Sequence, residues 1–221
     1  QRARTVWNDY MVDMGFGYAL GVDLPGEKRG MIPNAQYYDK LYNKSWNGLT
    51  TISNSIGQGE VTLTPLQIAN LGATIANRGH YIVPHIVKTI EGGEIDSLYT
   101  SKHKVAVDRK NYELIIEGMR EAVTDGTCKA ANSEFYEVCG KTGTAQNNGK
   151  DHSVFMGFAP RENPQIAIAV YVENGGFGAT YGVPIGALMM EQYITGRLSE
   201  ESEEKAKYYA DKSIDYDNKT R

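Results

Sequence analysis

The sequence predicts an α+β domain, an antiparallel β-sheet covered by helices on both faces. Three observations predict it. Residues 135–146, 153–159 and 165–173 are three β-rich runs. Asn147-Asn148-Gly149 and Pro160-Arg161-Glu162-Asn163-Pro164 join them, and links this short imply an antiparallel meander. In the third run Ile166, Ile168, Val170 and Val172 alternate with Ala167, Ala169 and Tyr171, so both faces are apolar and both call for cover. Gly157, Ala159, Ala167 and Ala169 are small enough to admit a helix closely.

The remaining elements follow in order. Residues 1–20 read as a helix and then a turn punctuated by Gly15, Gly17 and Gly21. Residues 22–50 read as irregular, with turn chemistry at Leu24-Pro25-Gly26-Glu27 and Gly30-Met31-Ile32-Pro33. A small-residue loop, Ile56-Gly57-Gln58-Gly59, precedes Thr64-Pro65, where Thr caps a helix and Pro takes its first position. That helix extends to about Arg78 and stops at Gly79. Residues 81–108 hold a small strand pair broken by Gly92-Gly93. Asp108 caps a helix to about Val123, with Leu114, Ile115, Met119 and Val123 as its apolar stripe. Beyond the sheet, a glycine-rich loop leads through Pro184 to a helix ending near Leu198. Residues 1–198 are read as one domain and 199–221 as a polar, solvated extension that is helical in part at most.

Composition removes several classes. A chain of 221 residues can bury ~70% of its extended surface. Hydrophobic residues at 41% and charged residues at 23% exclude disorder throughout. A net charge of −4 leaves no basic footprint for nucleic acid. No apolar run reaches the ~18 residues of a membrane span. The chain opens Gln1-Arg2-Ala3-Arg4, without Met or a secretory leader, and is expected to be cut from a longer protein. Cys128 and Cys139 lack metal-ligand spacing, and His80, His85, His103 and His152 are scattered, so no metal or other cofactor is expected. Two buried thiols are expected; a disulfide would require an oxidising compartment.

Gly140-Lys141-Thr142-Gly143-Thr144-Ala145 carries the chemistry. A phosphate-binding loop needs a glycine five residues before Gly140, and Phe135 stands there. What remains is Lys-Thr-Gly on a strand, a signature of penicillin-binding proteins and serine β-lactamases. Lys141 supplies a cation that favours a deprotonated nucleophile and attracts an anionic substrate. Thr142 and Thr144 offer hydroxyls to a terminal carboxylate. Gly143 leaves room for a peptide to add along the strand, and the Thr144 N–H can face a developing oxyanion. Alternation puts Lys141 and Gly143 on one face and the threonines on the other, so substrate must lie along the rim of an edge strand. Gln146 directly follows the motif and is expected to contact substrate. Asp151-His152 is read as fixing the hairpin, with a general base as the other reading.

In chain order stand Phe16-Gly17, Gly21-Val22-Asp23-Leu24-Pro25-Gly26-Glu27, Ser55-Ile56-Gly57-Gln58-Gly59, Thr64-Pro65-Leu66-Gln67, Lys141-Thr142-Gly143-Thr144-Ala145-Gln146, and Asp151-His152-Ser153-Val154-Phe155-Met156-Gly157-Phe158-Ala159-Pro160. The set resembles the transpeptidase domain of class B penicillin-binding proteins, the penicillin-binding protein 2 type, over residues 10–197. The resemblance implies the penicillin-binding protein and β-lactamase fold with its N-terminal part missing. It implies that a serine attacks the D-Ala-D-Ala bond of a peptidoglycan stem peptide, and that β-lactams acylate the same serine. Lys141 and Thr144 would be catalytic; Thr142, Gly143, Thr144, Gln58 and Gln146 would hold substrate. Ser101-Lys102-His103-Lys104 and Ser45-Trp46-Asn47 match the family's other two motifs as strings but in the wrong order, and Val105-Ala106-Val107 reads as strand. The nucleophile is therefore expected upstream of Gln1 and this chain alone is expected to be inactive. The edge of the run 165–172 is expected to be covered by other polypeptide, such as the N-terminal part of the same protein. The resemblance also implies a SEDS-type glycan polymerase as partner, and an anchor in the bacterial inner membrane with the catalytic domain in the periplasm. A serine β-lactamase, a β-lactam sensor and a non-catalytic fragment are the alternatives.

Overall fold

The computed structural model describes residues 2–214. Two compact units divide the chain: Gln1–Thr74 with Gly79–Val107, and Ile75–Arg78 with Asp108–Arg221.

The first unit holds α1 (Arg2–Asp13), α2 (Ala35–Leu41), α3 (Gly48–Ser55) and most of α4 (Pro65–Ala76), and β1 (His80–Tyr81) pairs antiparallel with β2 (His103–Lys104). The start of α4 is a reciprocal capping box. Gln67 N–H donates to Thr64 Oγ1 at 3.2 Å, and Thr64 N–H donates to Gln67 Oε1 at 3.0 Å. The buried Gln67 also brings its amide nitrogen within 3.0–3.3 Å of the carbonyl oxygens of Gly15, Tyr18 and Arg29. One side chain thus joins the helix start to two turns. Glu27 does the same for the Gly-Val-Asp-Leu-Pro-Gly-Glu segment: its carboxylate accepts the N–H groups of Leu20, Gly21 and Val22 at 2.7–3.1 Å. These are charge-assisted bonds, which explains order in a stretch without periodic structure.

The irregular stretch expected over 22–50 contains α2 and the start of α3. Asn34 caps α2 by accepting from Tyr37 N–H, and Asn47 caps α3 by accepting from Leu49 N–H. Elements of seven and eight residues are too short to display a hydrophobic period, so their caps were the only legible signal. Buried Arg4 holds this region together. It donates to Pro33 O and Asn54 Oδ1, and lies over the rings of Trp7 at 4.8 Å and Tyr38 at 4.6 Å.

The second unit holds α5 (Arg109–Thr124), β3 (Cys139–Ala145), β4 (His152–Ala159), β5 (Ile166–Val172), α6 (Gly182–Thr195) and α7 (Glu200–Ala210). The strands form the expected meander in the order β3-β4-β5, antiparallel throughout. β3 starts at Cys139 rather than at 135; Phe135 stands in bends and is 77% exposed, so it has no sheet face to join. α5 packs along β3, and α6 packs across β4 and β5. The buried stripe of α5 is Tyr112, Ile116, Met119 and Val123; Leu114 and Ile115, expected inside, are 74% and 52% exposed. The stripe is rotated because Tyr112 and Ile116 lie a turn apart in line with Met119 and Val123.

Phe155 is the centre of the sheet–helix core, with Val123, Val138, Ile168, Val170, Val183 and Met190 around it. Four glycines make room for it. A Cβ added to Gly140, Gly157, Gly182 or Gly186 would stand 2.5–3.0 Å from the Phe155 side chain. Of the four small strand residues expected to admit a helix, Gly157 and Ala159 share the Phe155 face, whereas Ala167 and Ala169 lie on the opposite one. That opposite face is half-buried within this chain at Val154, Met156, Ala167 and Ala169, and exposed at Tyr171. Among the described residues β5 pairs only with β4, so its outer side is a sheet edge.

Residues 199–210, expected as a solvated extension, form a capped helix docked on α6. Ser199 N–H and Ser202 Oγ both donate to the Glu191 carboxylate, and Ser202 is buried. Residues 215–221 of that segment lie outside the described residues.

Candidate active site

β3 is the second edge of the sheet, paired among the described residues only with β4. Its register sets Lys141 opposite Met156, Thr142 opposite Phe155, Gly143 opposite Val154 and Thr144 opposite Ser153. Lys141 is exposed, and Thr142, Gly143 and Thr144 are half-buried, so the rim is accessible along the whole motif. Lys141 Nζ lies along this rim and donates to Thr142 O at 2.8 Å. The Thr142 carbonyl that accepts this bond at the rim marks the outer side of the strand, and a strand residue's N–H points to the same side as its C=O. Alternation by two then puts the Thr144 N–H on the same outer side of the strand. Gln146 is exposed just past the strand end.

The inner face of the motif is padded by backbone. Gly178, in the loop before α6, leaves no room for a side chain: a Cβ there would meet Val154 O at 2.4 Å, Gly143 O at 2.8 Å and Thr142 Cβ at 2.9 Å. Ser153 pins that loop. Its hydroxyl donates to Phe177 O at 2.8 Å and accepts Gly182 N–H at 3.0 Å. Ser153 and Gly178 were not singled out from sequence. The cluster Gly175-Gly176-Phe177-Gly178 was the available signal, since glycines this dense mark close backbone approach.

The hairpin end is fixed as read. His152 Nδ1 accepts Asn174 N–H at 3.0 Å, with its ring 5.3 Å from that of Tyr171, and Asp151 O accepts Gly176 N–H. This occupies the nitrogen a general base would use. Cys128 and Cys139 are buried free thiols; burial raises the pKa of both, that of Cys139 to about 11.

A family model described as the penicillin binding protein transpeptidase domain matches residues 3–191. The chain belongs to that family. It is similar to the peptidoglycan D,D-transpeptidase MrdA of Acinetobacter baumannii, at 36% identity over 78% of this chain and 29% of that protein. Among solved structures it is similar to penicillin-binding protein 2 of Pseudomonas aeruginosa in complex with WCK 5153, with a TM-score of 0.78 and 35% identity over 90% of this chain and 44% of that one. It is also similar to a chain of a peptidoglycan synthase complex that coordinates polymerization and crosslinking, with a TM-score of 0.73 and 33% identity over 85% of this chain and 32% of that one. The chain spans roughly a third of the length of the curated relatives it matches.

The fold is thus the α+β penicillin-binding protein transpeptidase fold. Within this transpeptidase domain, Lys141 to Gln146 come together on one strand of the second unit, and Gln58 belongs to the first. Gln58 N–H donates to Ser53 O and its carbonyl accepts from Asn54 Nδ2, so its backbone closes the loop after α3. Ser101 lies just past a 3-10 turn at Ser97–Tyr99 and before β2, so it does not open a helix, as expected; Ser45 follows the turn at 42–44. A cavity of about 680 Å³ lies between α6, α7 and residues 130–136, and no residue of β3 lines it.

Proposed function

We propose that this chain is the part of a peptidoglycan D,D-transpeptidase that holds the donor stem peptide against the nucleophile. The observation that carries the reading is the accessible outer rim of β3, where Lys141, Thr142, Gly143 and Thr144 stand in line. The peptide adds to this edge as a further strand, and its terminal carboxylate meets the hydroxyls of Thr142 and Thr144 beside the Lys141 ammonium. A serine on a stretch outside this chain attacks the carbonyl carbon of the penultimate D-Ala. The C–N bond to the terminal D-Ala breaks, the serine proton passes to the leaving amine, and an ester remains. The Thr144 N–H stabilises the oxyanion formed on the way. An amine of a second stem peptide then attacks the ester, forms the new amide and returns the proton to serine. Gln146, just past the strand end, is a further proposed substrate contact, and Gln58 of the first unit is another. A β-lactam acylates the same serine, and its ring opening loses no leaving group.

Two features support the N-terminal part of the same protein as a partner. Among the described residues the outer edge of β5 is unpaired, and α3 turns Leu49 and Ile52 outward at 72% and 62% exposure. A SEDS-type glycan polymerase is the proposed assembly partner, and attachment to the inner membrane with the domain in the periplasm is the proposed location. No helix among the described residues is long and apolar enough to cross a membrane. Fluorescent penicillin tests the reading: the full-length protein is expected to take a covalent label stable to denaturation, and residues 1–221 alone none. Labelling of the short chain, or none of the full-length protein, contradicts it. A label shed within seconds would favour a β-lactamase.

A further inference from the structure

We propose that Thr127 is a positioning residue for substrate binding: its hydroxyl donates to Thr142 Oγ1 and so turns the Thr142 O–H outward, toward the carboxylate of a bound peptide or β-lactam. The inference rests on the transpeptidase reading above and deepens it. The two hydroxyl oxygens are 2.7 Å apart, and either could be the donor by distance alone. A bound carboxylate, which can only accept, selects Thr127 as the donor.

Thr127 sits on a corner with little freedom. Gly126 N–H donates to Glu121 O at 3.0 Å and Cys128 N–H donates to Ala122 O at 2.8 Å, so the corner is sewn to the last turn of α5. A Cβ on Gly126 would stand 2.7 Å from Ala122 Cα, so the turn admits only glycine without a shift. Cys128 is fully buried and anchors the far side. Thr127 itself is exposed and faces the rim of β3 at Thr142.

The ligand sets the direction of the hydrogen bond. A carboxylate only accepts, so the Thr142 proton goes to the ligand and Thr142 Oγ1 accepts from Thr127 across the 2.7 Å contact. Two donors in a row then end at a carboxylate, each bond polarising the next. Lys141 Nζ, on Thr142 O, puts positive charge at the same point of the rim.

The test uses the full-length protein and pre-steady-state acylation by benzylpenicillin and by its methyl ester, which lacks the carboxylate. Thr127→Val keeps the shape and removes the hydroxyl. It is expected to weaken the dissociation constant of the acid about tenfold, the upper end for loss of one neutral hydrogen bond, with the acylation rate constant within about twofold of the parent. The ester should bind parent and variant alike, and Thr127→Ser should restore acid binding to within about threefold. The acid-to-ester ratio does not depend on the fraction of active protein, so it remains valid for a partly unfolded variant. An unchanged ratio in Thr127→Val, or an equal loss on acid and ester, overturns the proposal. Failure of the parent protein to acylate at all overturns the transpeptidase reading instead.

Discussion

Lys141→Ala in the full-length protein is expected to lower the second-order rate of penicillin acylation about 10²–10⁴-fold, the range spanned by loss of a proton-transfer or charge-stabilising group. The ammonium lies on the open rim of β3 and is tied there to Thr142 O, so it is aimed along the path a bound carboxylate and a reacting serine would share. Its side chain is exposed and supports no core packing. The thermal midpoint should therefore stay within about 2 °C of the parent, since an exposed substitution typically changes stability by under about 0.5 kcal/mol. Lys141→Arg should recover little, because a planar fork cannot reproduce a point charge at the same place. Stopped-flow acylation beside a melting curve checks both halves. A loss under about fivefold would mean that the cation at this rim does not serve the chemistry.

Phe155→Ala is expected to be the most damaging single truncation in the sheet unit. Loss of a fully buried Phe costs about 3–5 kcal/mol, and the upper part of that range applies when neighbours cannot collapse into the space. Here Gly140, Gly157, Gly182 and Gly186 lie against the ring with no side chains to move into the space, which leaves collapse to the aliphatic neighbours and Met190. Function should fail with stability, because Phe155 stands opposite Thr142 and the loop carrying Gly178 packs on the same face. The converse change, Gly186→Val, forces atoms into space the ring already fills and should cost about 1–3 kcal/mol. Chemical denaturation of the full-length protein with each substitution measures these losses. A cost below about 1 kcal/mol for Phe155→Ala would contradict the packing described.

The meander was legible because its runs, its turn residues and its link lengths all agree, and agreement across such signals is what specifies a sheet. The start of α4 was legible from Thr64 and Pro65, which act locally. The interior stripe of α5 was not. Leu114 and Ile115 are as apolar as Ile116, and only the tertiary partner decides which face turns inward. The docking of the helix at 200–210 escaped notice because it rests on Glu191 accepting from Ser199 and Ser202, polar contacts that leave no hydrophobic period. At the site, Lys141, Thr142, Gly143 and Thr144 were visible as a motif. Gly140, which invites a phosphate-loop reading, instead leaves space for the Phe155 ring. Thr127 and Ser153 carry no signature in one sequence, since a lone hydroxyl acquires meaning only from the strand it meets.

The most direct measurement is a crystal structure of the full-length protein acylated by benzylpenicillin. The account predicts an ester on a serine outside residues 1–221, the ligand carboxylate within hydrogen-bonding distance of the Thr142 and Thr144 hydroxyls, and the ester oxygen facing the Thr144 N–H. An adduct on a serine of this chain, or a ligand carboxylate held away from the outer rim of β3, would contradict it.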